Sequence, residues 1–217
     1  HALSPAIDRN AIVDRIMQKQ AYPAGGFVPE GFFGHNPKLA PDAYKPDEAK
    51  KMLADAGYPN GFNLTIHGPN DRFLNDGRVL QAVGGMFSRI GVQTKVEAMP
   101  LTAFLGPASH PNYAYSMILL GWNTNTGEAS STIRGLVATV DRDKGMGPSN
   151  RGRYSNPAVD ALIAKAMSTI DATNREAMLR EIADVAIGKD QAILPLYYEV
   201  TVWAMRRDLA YAARSDQ

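Results

Sequence analysis

Hydrophobic and polar positions along the chain switch repeatedly between a helical and a strand period. Residues 4–18 place Ala6, Ile7, Ile12, Val13, Ile16 and Met17 on one stripe, which predicts an amphipathic helix with Ser4 as its N-cap and Pro5 at its first position. From Tyr22 to Pro46 the periodicity disappears. Five prolines and four glycines interrupt that stretch, yet Phe27, Val28, Phe32, Phe33 and Tyr44 make it too apolar for a free linker. An irregular segment pinned to a surface by its aromatic residues is predicted. A helix over 47–56, stopped at Gly57 and closed by Pro59, leads through the Asn60-Gly61 turn into a strand over 62–67. A helix over 75–90 and a strand over 92–98 complete a βαβ unit, whose strands are therefore expected to run parallel.

The second half reads less regularly. Residues 100–107 hold room for one short helix, and Tyr115–Gly121 is a continuous apolar run, the pattern of a buried central strand. A polar loop, 122–131, leads to a short helix over 131–140. Asn156-Pro157 opens a helix reaching Ile170, and Thr173 with Glu176 forms a capping-box pattern for another, reaching Lys189. Leu194–Tyr198 and Val200–Met205 close the chain as strands. Strands alternating with helices give the α/β class.

Composition narrows the chemistry. The 217 residues suffice for one domain of ordinary size; 45% are hydrophobic and 21% charged, which excludes a disordered chain. A net charge of +1 provides no basic footprint for nucleic acid. With no cysteine, thiolate metal sites, disulfides and cysteine nucleophiles are excluded, a composition compatible with the periplasm. The chain starts at His1 without a charged and then apolar leader, so it is expected to begin inside a longer protein. G-x-S-x-G, the P-loop and a G-x-G-x-x-G after a strand are all missing, and His1, His35, His67 and His110 are scattered in the manner of surface residues. Asp141-Arg142-Asp143-Lys144-Gly145 begins like a calcium loop but lacks the third acid, and a solvated turn is expected.

One stretch does carry candidate binding chemistry. Ligands of open α/β sheets sit beyond the carboxyl ends of strands, where Tyr115–Gly121 is followed by Trp122, Asn123, Thr124, Asn125, Thr126, Gly127 and Glu128. Trp122 is able to stack on a ligand and the amide, hydroxyl and carboxylate groups to hydrogen-bond it; the alternative is that Trp122 is core and the polar residues cap the next helix. Arg151 and Arg153 flank Gly152 and have the chemistry to grip an anion. A solvated role is favoured for Arg151, and Arg153 stays open.

Several ordered segments together resemble a known family. Ala6-Ile7-Asp8-Arg9, Phe27-Val28-Pro29-Glu30-Gly31, Ala49 to Phe62, Ile90-Gly91-Val92, Gly121-Trp122, Arg153 to Asp160 and Ile193 to Tyr197 are similar, in the same order, to the family 5 extracellular solute-binding proteins, the dipeptide/oligopeptide/nickel class serving ABC importers. The resemblance implies a type II, peptide-binding-class, periplasmic binding protein-like fold. The chain would be one α/β lobe over 1–217, the C-terminal lobe of a two-lobed protein, with a mixed sheet flanked by helices and with 194–217 returning toward the hinge. It implies a receptor, periplasmic or lipid-anchored at the cell surface, that captures a small polar solute (a peptide, an opine or a sugar-like molecule) against a missing N-terminal lobe and delivers it to an inner-membrane ABC permease, with no cofactor, no metal and no catalysis. Peptide-binding members carry an aspartate in the loop after Gly-Trp that pairs with the peptide's amino group. Here Glu128 is the only acid of that loop: either it serves with one more methylene, or the solute lacks a free amine. Trp122, Asn123, Thr124, Asn125, Glu128 and Arg153 are the expected ligand contacts. Two other classes compete: a periplasmic hydrolase, which needs a second carboxylate opposite Glu128, and a chaperone-like interaction protein, which needs an exposed apolar patch.

Overall fold

The computed structural model describes residues 1–124 and 126–212. A 3-10 turn, Ser4–Ala6, precedes α1, Arg9–Ala11, which continues as a π-helical stretch over Ile12–Ile16. The expected stripe is real: Ala6, Ile7, Ile12, Val13 and Met17 are buried. The cap is not Ser4, however. Asp8 accepts from the Ala11 amide at 2.8 Å, whereas the Ser4 hydroxyl turns to Asp42 and to the buried Arg9. After β1, Ala21–Pro23, the irregular segment runs to α2, Pro46–Asp55. Phe27, Phe32 and Phe33 anchor it against one core while Tyr44 stays exposed.

The βαβ unit follows: β2, Asn63–Pro69; α3, Asp76–Arg89; and β3, Gln93–Met99. β2 and β3 are parallel, in register from Asn63 opposite Gln93 to Pro69 opposite Met99. Val79, Leu80, Val83, Met86 and Phe87 form the buried face of α3, at the spacing a helix needs to lie on a sheet. Gly84 sits on that face because a Cβ there would lie 2.4 Å from Val96 Cγ2.

α4, Leu101–Ala108, leads to β4, Met117–Ile118, which pairs parallel with β2. The sheet order is therefore β3-β2-β4. The apolar run 115–121 was expected to be a buried central strand; it is a half-buried edge strand instead. Only Met117 and Ile118 keep register with β2, with the Leu119 amide adding one bond to the His67 carbonyl at 2.8 Å, before the chain swings away.

Three helices build the other half: α5, Ala129–Leu136; α6, Pro157–Ser168; and α7, Ala172–Ala183, extended by a π-helical stretch over Asp184–Lys189. α6 begins as expected, with Asn156 accepting from the Ala158 and Val159 amides and Pro157 at the first position. α7 is capped by Asp171, not by Thr173. β5, Tyr197–Glu199, pairs antiparallel with β1. The parallel and antiparallel pairings of this α/β fold thus fall in two separate sheets. No strand forms over 200–205; Val202, Trp203, Met205, Leu209 and Tyr211 are exposed along an extended stretch.

Two hydrophobic cores result. One lies between α1, α3 and the parallel sheet, the other between α5, α6, α7 and the Phe27–Phe33 segment. The loops after β2 and β4 lie where these halves meet. No described helix is long and apolar enough to cross a membrane.

Candidate functional site

The site is built from the carboxyl end of the parallel sheet. Beyond β2 the chain turns through Asn70–Asn75, held by the buried Asp76. One carboxylate oxygen accepts from the Arg72 and Phe73 amides, each at 3.0 Å, and the other accepts from the Gly77 amide at 2.7 Å. This clamp sets the Phe73 ring against Gly121, where an added Cβ would lie 2.7 Å from Cζ. Gly121 is therefore needed for the close approach of the two loops. The exposed Arg72 guanidinium stacks over the Phe73 ring at 4.8 Å.

Trp122 comes next. Its ring edge covers Gly135 of α5, at 3.0 Å from the position a Cβ would take, yet the residue is 40% exposed. One edge is fixed by packing on α5 and the rest of the ring is open to solvent. Asn123 is exposed beside it. The Thr124 hydroxyl donates to the Glu128 carbonyl at 2.7 Å and so shapes the loop from within. Asn125 lies outside the described residues.

Glu128 is not an open carboxylate. Arg175 of α7 donates to both its oxygens, at 2.8 and 2.7 Å, and the Ser130 hydroxyl donates to Oε1. Arg175 in turn lies over Phe33 at 5.4 Å, and the Phe33 backbone is bonded to Gly127 and Ala129. The Arg175 hydrogen bonds hold the Glu128 carboxyl below the usual carboxylate range; burial opposes them, and Ser130 adds to them. Glu128, expected as the ligand's charge partner, is engaged here by Arg175 and Ser130. Its charge is compensated by Arg175, and a carboxylate held ionised near neutral pH by two such bonds is a poor general acid.

Burial and the nearby Asp76 carboxylate push Glu199 up, with Arg72 acting the other way. His67 also departs from expectation. It is buried, with its ring stacked on Tyr115 at 3.8 Å and Nε2 3.2 Å from Glu97. Among the described residues no three histidine, aspartate or glutamate side chains converge in a way that would hold a metal ion.

Arg151 and Arg153 lie in the loop before α6. Their loop is fixed by the buried Asn150, whose amide nitrogen donates to the Ala138 and Tyr154 carbonyls at 2.8 and 2.7 Å, while its oxygen accepts from the Tyr154 amide at 3.0 Å. Arg153 is exposed, with its guanidinium 5.8 Å from the Tyr113 ring centroid. Arg151, expected to be solvated, is half-buried. Arg72, Phe73, Tyr113 and Arg175 were not found from the sequence. Only Phe73, just past a strand end, carries a positional signal; the others come to the site through tertiary packing.

The chain has relatives among known proteins. The family described as "Bacterial extracellular solute-binding proteins, family 5 Middle" matches residues 1–143. The chain belongs to this family. It is 30% identical over 211 residues to the glutathione-binding protein GsiB of Salmonella typhimurium, covering 96% of this chain and 40% of that relative. It therefore spans about two fifths of the length of the curated relatives it matches. Among solved structures, the periplasmic binding protein DppA from Helicobacter pylori in complex with the peptide STSA shares the fold with a TM-score of 0.81 and 24% identity, over 91% of this chain and 37% of that one. The dipeptide binding protein of Pseudoalteromonas sp. SM9913 in complex with Met-Leu gives 0.80 and 21%, over 91% and 38%. The fold of the chain is that of the periplasmic peptide-binding proteins.

Proposed function

We propose that this chain is one ligand-binding lobe of the solute receptor of an ABC importer, acting in the periplasm or anchored at the cell surface, without catalysis. The receptor captures a small peptide-like solute, of the class of glutathione or a di- or tripeptide, between this lobe and an N-terminal lobe. It then presents the solute to a permease in the inner membrane. The observation that carries the reading is Trp122: a large aromatic ring, fixed at one edge on Gly135, open to solvent, at the carboxyl end of a parallel sheet. Asn123 and the stacked Arg72–Phe73 pair supply polar and further aromatic surface next to it. A glutathione-binding relative supports the solute class.

Capture follows from differential affinity. A solute touching both lobes binds the closed arrangement better than the open one and shifts the population toward it. The exposed apolar residues of 200–212 are the surface we assign to contact with the other lobe. The Glu128–Arg175 pair favours a second reading of the solute: an opine or sugar-like molecule with no free amine to be read.

Calorimetric titration of the full-length protein with glutathione, a dipeptide panel, an opine and a sugar tests the proposal. Saturable binding of one class, with Trp122 fluorescence changing in parallel, is expected. No binding at millimolar concentration in any class, or turnover of a bound compound, overturns it.

A further inference from the structure

The irregular segment between β1 and α2 is fastened to parts of the molecule far from it in sequence. Its first residues hang on β5 and the residue before that strand. The Ala24 amide donates to the Leu196 carbonyl at 3.1 Å, and the Gly26 amide donates to the Tyr198 hydroxyl at 3.2 Å. The same hydroxyl lies 3.0 Å from both the Gly26 and the Val28 carbonyl, so its single proton is shared between them. Burial pushes the Tyr198 phenol up, against the opposing effect of the Gly26 backbone bond, and the oxygen keeps that proton near neutral pH.

The Val28 carbonyl has a second donor, His35 Nδ1, at 3.0 Å. A carbonyl only accepts, so this ring nitrogen carries the hydrogen. His35 lies two residues after Phe33, and the Phe33 backbone grips the end of the loop after β4 twice. Its amide donates to the Gly127 carbonyl at 3.2 Å, and its carbonyl accepts from the Ala129 amide at 2.9 Å. Val28 is buried in one core with Ala129 and Ile133. α7 backs the segment: Glu176 accepts from the Gly34 amide at 3.3 Å, and Arg180 donates to the His35 carbonyl at 2.9 Å. A continuous series of bonds thus runs from Tyr198 through Val28, His35 and Phe33 to the turn that ends the Trp122-bearing loop.

We propose that Tyr198 is a positioning residue: through the 24–36 segment it joins β5 to the loop after β4, so that strand and loop move as one piece and the setting of Trp122 follows β5. This deepens the receptor reading and rests on it for the part played by the other lobe. β5 runs directly into the exposed stretch 200–212 assigned above to contact with that lobe, so a change in the arrangement of the lobes reaches β5 first. Two elements joined by such a bonded series are a physical basis for coupling, where nearness alone is not.

Two measurements on the full-length protein read the linkage without any solute. Backbone amide hydrogen exchange is compared in wild type, Y198F, H35A and the double variant. In parallel, 19F NMR of protein labelled with 5-fluorotryptophan follows the Trp122 signal, assigned by its loss in W122F. Y198F removes one hydroxyl and keeps the packed ring. The Phe33 and Ala129 amides should then exchange roughly two- to tenfold faster, the range of one net hydrogen bond, with the amides of the β2–β3 pair unchanged and the Trp122 signal displaced. H35A cuts the series at its middle without touching β5 and should give the same changes. The double variant should add little, because both substitutions open one series. Faster exchange confined to Gly26, uniform acceleration in every element, additive effects or an unmoved Trp122 signal overturns the proposal. Titration of wild type with glutathione, the dipeptide panel, the opine and the sugar is scored separately. Selective acceleration in a protein that binds none of them upholds the linkage and removes the receptor reading; binding without selective acceleration overturns the linkage and leaves the receptor in place.

Discussion

Replacing Glu128 by Gln removes one end of the ion pair that ties the start of α5 to α7. The pair is bidentate, at 2.8 and 2.7 Å, and its side chains are 24% and 23% exposed, Arg175 and Glu128 respectively. Exposed pairs contribute about 0–1 kcal/mol, and breaking a fully buried one costs about 3–5 kcal/mol. Three-quarters burial places E128Q between these, at a loss of about 2 kcal/mol at pH 7. The sign of the pH dependence follows from the depressed Glu128 pKa. The unfolded carboxyl titrates near about 4.3. The contribution is fully present above that value and is lost as pH falls through the lower folded value, so the gap between wild type and E128Q should narrow below about pH 4. The assay is urea denaturation of wild type, E128Q, R175M and the double variant of the full-length protein. A coupling of about 1–2 kcal/mol at pH 7 is expected. A coupling under about 0.5 kcal/mol, or a gap that stays constant down to pH 3, would refute the reasoning. So would a loss of solute affinity in E128Q at unchanged stability, because Glu128 would then face the solute and not Arg175.

Further consequences concern packing and loop clamps elsewhere in the lobe. G84A gains up to about 1 kcal/mol of helix propensity but forces a Cβ to within 2.4 Å of Val96 Cγ2. A net loss of about 1 kcal/mol in urea denaturation is expected, with V96A restoring it; failure of V96A to do so would show that the clash is not the cause. N150A deletes three hydrogen bonds of a buried amide and should cost about 2–3 kcal/mol, read as a lower thermal midpoint; an unchanged midpoint would contradict the clamp. Burial and the hydrogen bond to Asp190 push the Tyr154 phenol up to about 12, and that bond, with one from Asn156, holds Asp190 below the usual carboxylate range. In Y154F the Asp190 carboxyl should titrate closer to its ordinary value by 13C NMR, and an unmoved titration would exclude the bond.

Local chemistry explains which parts of the fold were legible in the sequence. The β2–α3–β3 unit was readable because its periods are long and its ends are marked by Gly57, Gly61 and Gly91, all at positive φ. Asn156-Pro157 was readable for the same reason: cap and first residue are adjacent and compete with nothing. Thr173 and Glu176 matched a capping box equally well in composition, but Glu176 is drawn away by tertiary partners, accepting from the Gly34 amide at 3.3 Å and from Arg180 at 2.8 Å, and Asp171 caps instead. An apolar run such as 115–121 reports burial, not position in a sheet. Here the chain leaves β2 after Leu119 because the loop above is already occupied by Phe73. The Trp122 loop was visible as the polar end of an apolar run, while its partners, Arg175 and Phe73, are separated from it by 53 and 49 residues of sequence and are assembled only by packing.

The pairing of charges then decides what the site can recognise. Around Trp122 the exposed groups are aromatic faces, the Asn123 amide and the Arg72 guanidinium. The one acid of the loop after β4 is cancelled by Arg175, so an amine on the solute would find no free carboxylate there. In the loop before α6, among the described residues, the Arg151 Nε is buried without an acceptor. Glu128 is thus committed to Arg175, while among the described residues no carboxylate pairs with Arg151.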